Sequence, residues 1–259
     1  MRVYIETDLE GVSGVFRFEQ SREYGTAANN EARHLLMGEV NAAVAGAFDG
    51  GATRVVVFDG HDGGKSFFPE DLDERAEFVM GRFTPYDLVL RQGFDAAFLL
   101  GFHAMSHTAR GVLCHTHSSL KWDNYWIDGH LAGEIERSAL MLGACGIPVT
   151  MVTGGDKAVA EARRVLGDEI VTVQVKEGLG REAALMVAPK RARALIRAGA
   201  EEAVRRAAEI APYAPGFPLT VRWQFKDSGI VDRYRGDATR IDATTLEKVV
   251  HDPEDLIVP

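Results

Sequence analysis

The sequence predicts an α/β fold, a mostly parallel sheet with helices on both faces, plus a smaller C-terminal α+β portion. Three observations predict it. Short, continuously apolar runs recur from the N-terminus to residue 152, as strands buried on both faces require. Longer stretches with helical apolar spacing separate them. Gly or Pro marks the junctions.

Arg2–Thr7 carries the first strand, and Gly11-Val12-Ser13-Gly14 turns the chain out of it. Leu35, Leu36, Val40, Ala43, Val44, Ala47 and Phe48 fall at helical spacing over 31–48, and Gly50-Gly51 stops that helix. Residues 54–58 form the next buried strand, 96–100 repeat the pattern, and 149–152 follow Gly146-Ile147-Pro148 in the same way. A helix is expected over 131–143. Beyond it the character changes. Residues 189–210 form a long Ala/Arg/Glu helix ended by Pro212 and Pro215, Leu219–Phe225 is a strand, and the tail is polar and weakly patterned. A soft boundary near residue 187 separates an α/β portion bearing the metal-capable residues (1–187) from a C-terminal helix-and-strand portion suited to oligomerisation or scaffolding (188–259).

Composition limits the function classes. A chain of 259 residues, 46% of them hydrophobic, buries a sizeable core without disulfides or a folding metal, so a metal site here points to catalysis. The formal net charge of −9 argues against a nucleic-acid partner, because phosphate neutralisation supplies most of such a binder's affinity. Arginines at 163–164, 191–197 and 205–206 alternate with Ala and Glu, as on a solvated helix face. No apolar run is long enough to span a bilayer, and the N-terminus opens on a strand-like run rather than an export signal. The expectation is a cytoplasmic protein without a membrane partner, whose Cys114 and Cys145 are reduced thiols.

Histidine placement carries the chemistry. Five of the eight histidines (His103, His107, His115, His117 and His130) crowd into 28 residues, far more than even spacing would give. Asp8 and Glu10 follow the first strand one residue apart, so extended backbone sends both side chains to one face. His61 lies just beyond 54–58, and His103 just beyond 96–100. Open α/β sheets bind ligands at the carboxyl ends of their strands, so three strand ends bearing His or carboxylate can converge on one point. Taken singly, each has an ordinary reading. Carboxylates after a strand are common turn residues, a lone His there bonds a loop, and Glu134 suits a helix N-terminal dipole. Together, two histidines and three carboxylates exceed what one catalytic zinc with an open position takes. They suit two ions bridged by a carboxylate, and manganese accepts the same mixed N/O set.

At these residues the chain resembles the M55 family of peptidases, the D-aminopeptidases associated with dipeptide-transport operons. The likeness rests on Tyr4 to Gly14 with its Asp-x-Glu-Gly-x-Ser-Gly core, the His61 loop, Gly101-Phe102-His103-Ala104, Gly111-Val112-Leu113-Cys114-His115 and Gly133-Glu134. Val152-Thr153-Gly154-Gly155-Asp156 and Val175-Lys176 extend it, so that it runs to about residue 225. The resemblance implies two zinc ions per subunit held by Asp8, Glu10, His61, His103 and Glu134, with Asp8 bridging and His115 catalytic rather than a ligand. It also implies short peptide substrates containing D-amino acids and a homo-oligomer, a ring-like decamer enclosing its active sites. The His61 loop is richer in Gly and Asp than in the family's type member, and the tail lacks an obvious final helix.

The neighbouring residues have lesser expected roles. His117 would share a face with His115 if that stretch is extended, and is a candidate for substrate contact. His107 and His130 are expected at the surface or in support, and Cys114 as a structural thiol pointing away from His115. Three rival readings stand beside the aminopeptidase. Gly60-His61-Asp62-Gly63-Gly64-Lys65-Ser66 follows a strand like a phosphate loop, but Asp59 occupies the position of the motif's first Gly and Phe67-Phe68-Pro69 opens a helix poorly. A two-metal phosphoesterase would use the same ligands, yet the site segments show no basic cluster beyond Lys65. A non-catalytic metal- or peptide-binding oligomer would hold metal without turnover.

Overall fold

The computed structural model describes residues 1–82 and 88–257. The chain opens with β1 (Arg2–Thr7), α1 (Phe18–Arg22), α2 (Ala27–Asp49) and β2 (Arg54–Asp59), followed by β3 (Glu77–Val79) and β4 (Ala96–Phe102). Then come β5 (Trp122–Ile127), β6 (His130–Leu131), α3 (Glu134–Ala144), β7 (Val149–Gly155), α4 (Asp156–Leu166), β8 (Val171–Gly180) and β9 (Ala183–Met186). The last elements are α5 (Pro189–Arg205), β10 (Leu219–Phe225), α6 (Ser228–Arg233), β11 (Thr239–Arg240) and β12 (Thr245–Val250).

Among the described residues, seven strands form the main sheet in the order β3-β2-β1-β4-β7-β8-β9, parallel throughout except at the β8–β9 hairpin. The mixed α/β architecture with a mostly parallel sheet is the one the sequence predicts. The apolar runs at 54–58, 96–100 and 149–152 lie inside β2, β4 and β7, and β4 is buried at every position, as a strand covered on both faces must be. Alternate side chains feed two cores. Val3 and Ile5 pack with Leu36 and Val40 of α2 and Ile196 and Ala200 of α5, whereas Tyr4 and Leu99 pack with Ile135 of α3 and Ala162 of α4. Helix α2 begins at Ala27 rather than residue 31, because the Thr26 side chain accepts the Asn29 N–H as an N-cap. Helix α5 stops at Arg205, and a single 3-10 turn over Ala207–Glu209 carries the chain on.

A second, antiparallel sheet lies over the α3 face in the order β11-β12-β10-β5-β6. Strands from both sides of residue 187 build it, and the weakly patterned tail supplies β11 and β12. Trp122, Tyr125, Trp223 and Phe225 fill its inner face. No helix of the described residues is long and apolar enough to cross a membrane.

The sheet order positions the site. From β1 the chain moves to β2 on one flank and later to β4 on the other, so β1 and β4 border a point where the winding direction reverses. In such sheets a crevice opens at this point, beyond the strands' carboxyl ends.

Candidate active site

Asp8 directly follows β1, His61 lies in the turn after β2, and His103 directly follows β4. Glu134 is the first residue of α3, where the helix dipole favours a carboxylate. Two glycines let the β1 and β4 ends approach. Asp8 N–H donates to Leu100 O at 2.8 Å, and Gly11 N–H donates to Gly101 O at 2.7 Å. A Cβ on Gly11 would lie 2.1 Å from the Phe102 carbonyl oxygen. Gly101 has φ +76° and would place a Cβ 2.4 Å from the Asp8 carbonyl oxygen.

The side chains form two triads that share Asp8. His61 Nδ1 lies 3.0 Å from Asp8 Oδ1 and 3.2 Å from Glu10 Oε2. His103 Nε2 lies 3.3 Å from Asp8 Oδ2 and 3.2 Å from Glu134 Oε1. His115 stacks on His103, and its Nε2 lies 3.9 Å from Glu134 Oε1. The fold thus brings all six predicted site residues to one crevice. Two overlapping sets, Asp8/Glu10/His103 and His103/His115/Glu134, have potential ligand atoms within 4.8 Å of one another, so distance alone also admits His115 as a ligand.

Each imidazole has its other nitrogen on a backbone carbonyl: His61 Nε2 on Ser21 O (3.0 Å), His103 Nδ1 on Ala104 O (2.9 Å) and His115 Nδ1 on Leu113 O (2.8 Å). A proton donated there leaves the lone pair of the second nitrogen facing the carboxylates, the arrangement of a histidine that binds metal. Two ligands of a tetrahedral zinc, each about 2.0–2.1 Å from it, lie roughly 3.3 Å apart. The separations of 3.0–3.3 Å within the two triads match.

The charges also fit a cation. Asp8 Oδ2 and Glu10 Oε2 are buried without a hydrogen-bond donor among the described residues. Burial, followed by the charge of Glu10, pushes the Asp8 carboxyl up to about 7. Burial is the largest single influence on His61 and His103 and opposes their charge, but the surrounding carboxylates together outweigh it, Glu10 foremost at His61 and Glu134 foremost at His103, so both imidazoles are held well above their usual range. Carboxylates packed this closely need protons or metal ions between them, and the donor set suits zinc or manganese.

The crevice opens as a cleft of about 230 Å³, whose outer wall includes Arg22, Asp62, His117, Ser119 and Leu120. A second cleft of about 290 Å³ adjoins it at His115 and is lined by His107, Asp123, Arg181 and Lys226. His117 reaches the first cleft by a different route from the extended one expected. Leu113 and His117 both have left-handed backbone, with φ +51° and +57°. The His117 N–H donates to Glu134 Oε1 at 2.7 Å, and its ring packs on Trp122. His107 and His130 are exposed and pair with Asp123 and Glu136. Cys114 is buried, and its Sγ donates to Thr108 O. Residues 61–63 make one 3-10 turn rather than a phosphate-binding helix start, and Lys65 pairs with Asp62.

Two features escaped sequence reasoning. Lys176 is buried, with Nζ donating to the carbonyls of Glu10, Val12 and Val15 at 2.7, 2.8 and 2.6 Å, and so fixes the loop that carries Glu10. Its signal was the pairing of a lone Lys with the alternating Val171, Val173 and Val175, which reads more simply as a solvated position. The basic groups at the site are the second. In place of Lys65, the fold brings Arg22, Arg181 and Lys226 to the two clefts, from positions too remote in sequence to read as a cluster.

A parallel α/β sheet with a buried His/carboxylate cluster at its winding reversal is an arrangement that suits a metal-dependent hydrolase. The profile of peptidase family M55, described as D-aminopeptidase, matches residues 1–258, and the chain belongs to that family. It is accordingly an enzyme, a metallo-aminopeptidase of the hydrolase class. The D-aminopeptidase of Bacillus subtilis (strain 168) is 29% identical over 221 residues, 83% of this chain and 78% of the relative. The solved structure of the Zn-dependent D-aminopeptidase DppA from Bacillus subtilis, described as a self-compartmentalizing protease, aligns with a TM-score of 0.91 at 25% identity, over 99% of this chain and 94% of that one.

Proposed function

We propose that the chain is a zinc-dependent aminopeptidase that removes the N-terminal residue of short peptides containing D-amino acids. In this reading Asp8, Glu10, His61, His103 and Glu134 hold two zinc ions per subunit, with manganese as a possible substitute, and Asp8 serves both. The observation that carries it is the division of Asp8, one oxygen toward His61 and the other toward His103. Zinc there supplies Lewis acidity, which polarises a scissile carbonyl, acidifies water near neutral pH and holds a peptide's free α-amino group.

The remaining chemistry belongs to this chain's side chains. Burial, then the neighbouring charge of His103, holds the His115 imidazole down to about 4, so it is neutral at physiological pH. With Nδ1–H on the Leu113 carbonyl, Nε2 is the atom that accepts a proton from attacking water and delivers it to the departing amine. Ser21 and Ala104 hold His61 and His103 in register through their carbonyls. The D-peptide preference is supported by the relatives' descriptions, and the self-compartmentalizing relative supports a homo-oligomer that encloses its sites, for which a ring decamer is the assembly proposed.

The test measures zinc and manganese in the purified protein together with hydrolysis of matched D- and L-alanyl dipeptides and a phosphate monoester, before and after chelation. The expected outcome is about two zinc ions per chain, with D-dipeptide turnover that chelation abolishes and zinc restores. Undiminished turnover by metal-free protein, or cleavage of the phosphate ester alone, would overturn the proposal.

A further inference from the structure

Several guanidinium groups of this acidic chain face a carboxylate: Arg54 pairs with Glu77, Arg75 with Asp73, Arg197 with Asp49 and Arg222 with Glu247. The cations around the active-site clefts are not among them. Among the described residues, Arg22, Arg181 and Lys226 have no carboxylate within ion-pair distance, and all three line the two clefts that meet at His115.

Arg22 is nonetheless held in place. Its guanidinium carbon lies 3.4 Å from the centroid of the Phe18 ring, and its Nε–H donates to Ser119 Oγ at 2.8 Å. Stacking plus one bond from Nε leaves Nη1 and Nη2 without a partner among the described residues, a fork suited to a carboxylate. Lys226 reaches the same residue from another direction, with Nζ donating to the Ser119 carbonyl at 2.9 Å. Arg181 lies over the same Phe18 ring at 4.8 Å. The two guanidinium groups repel each other, and an anion bound to Arg22 offsets that repulsion. Glu10 and Glu182 act on Arg22 only through space.

The placement also has a direction. The cleft carries an acidic cluster, Asp8, Glu10 and Glu134, and elsewhere in its wall Arg22 and Asp62, of which Asp62 is already paired with Lys65. Arg22 follows Ser21, whose carbonyl bonds His61, so this cation stands one residue from a contact of the acidic cluster. A short peptide carries the opposite polarity, an ammonium group at one end and a carboxylate at the other. We propose that Arg22, assisted by Lys226 on the same Ser119, anchors the C-terminal carboxylate of the substrate, so that the enzyme selects peptides whose free C-terminus lies close to the bond it cuts. The proposal rests on the aminopeptidase reading and adds the residues that set substrate length.

The test compares D-alanyl-glycine with D-alanyl-glycinamide, which differ only in the terminal charge, using zinc-loaded wild type, Arg22→Gln and Lys226→Gln. Charge-assisted bonds to a carboxylate predict that wild type prefers the free acid by about tenfold to a hundredfold in kcat/KM. Arg22→Gln should bring the acid-to-amide ratio close to one, chiefly through KM, and Lys226→Gln should lower it several-fold. Because the readout is a ratio, a general loss through misfolding, which lowers both rates, does not imitate loss of the anchor. Wild type that cleaves both forms equally well, or variants that keep the wild-type ratio, would overturn the anchor alone. Wild type that cleaves neither form, nor any other D-dipeptide, would overturn the aminopeptidase reading and the anchor with it.

Discussion

The imidazole rings of His103 and His115 stack face to face, with centroids 4.0 Å apart and planes 14° from parallel. One ring presents Nε2 to Asp8 and Glu134, and the other presents Nε2 to the cleft beside them. The stack fixes the distance between the proposed metal-binding floor and the proposed proton carrier, and it lets the two roles be separated by substitution.

His115→Ala should keep its zinc, because the five proposed ligands remain, and should lose turnover by about 100-fold or more. Metal analysis and steady-state rates on the same sample check both halves. Near-normal turnover, or loss of zinc alongside activity, would remove His115 from the proton-carrying role.

Asp8→Ala removes the residue common to both triads, so it should cost zinc as well as activity. In wild type, zinc binding to the folded state alone should raise the melting temperature, with a gain of about 2.7 kcal/mol when free zinc is 100 times its Kd. Differential scanning calorimetry of chelated and zinc-loaded protein measures this. A melting temperature that zinc raises equally in wild type and Asp8→Ala would show that the metal sits elsewhere.

Gly11→Ala places a methyl group against the Phe102 carbonyl, 2.1 Å from its oxygen. The β1 and β4 ends must then separate, at a cost of about 3 kcal/mol or more by urea unfolding. Because Asp8 and Glu10 stand on one of those ends and His103 on the other, weaker zinc retention should accompany the loss. A variant with wild-type stability and metal content would mean that the two ends do not touch.

Glu39 offers a pH test away from the proposed metals. It is buried, its Oε1 accepts the Ser13 N–H at 2.8 Å, and burial, only partly offset by that bond and by Lys176 and Arg193, pushes its carboxyl up to about 7. Below pH 4.5 both the folded and unfolded chain hold this proton; between 4.5 and about 7 only the folded chain does, so stability falls as pH rises through that window. Above it both forms are ionised and the loss is complete. Glu39→Gln should therefore gain on wild type across this range and be about 1–3 kcal/mol more stable, relative to its pH 4.5 value, at pH 8. Urea titrations at the two ends of the range measure the difference, and parallel pH profiles would show that Glu39 ionises without cost.

The main sheet was legible because its strands are buried on both faces, which leaves unbroken apolar runs such as those of β2 and β4. Asp8, Glu10, His61 and His103 were legible for a related reason, since each stands within a few residues of the end of such a run. The second sheet was harder to read. In β5 the buried Trp122, Tyr125 and Ile127 are interrupted by Asp123 and Asn124, and β12 is half exposed. His117 was placed by assuming extended backbone where the chain turns through left-handed residues. Arg22, Arg181 and Lys226 carry no local signal, because their meeting is a property of the tertiary fold and of one aromatic ring and one serine that sit between them.

The second sheet also bears on the order in which the protein is made. β5 lies between His115 and Glu134 in the chain, and its partner β10 is synthesised much later; the Thr220 N–H closes on Asp128 across 92 residues. A chain cut after α3 contains all five proposed ligands but lacks β10, the strand that pairs with β5 between His115 and Glu134. The segment that joins His115 to Glu134 is therefore held in part by strands from the far end of the chain.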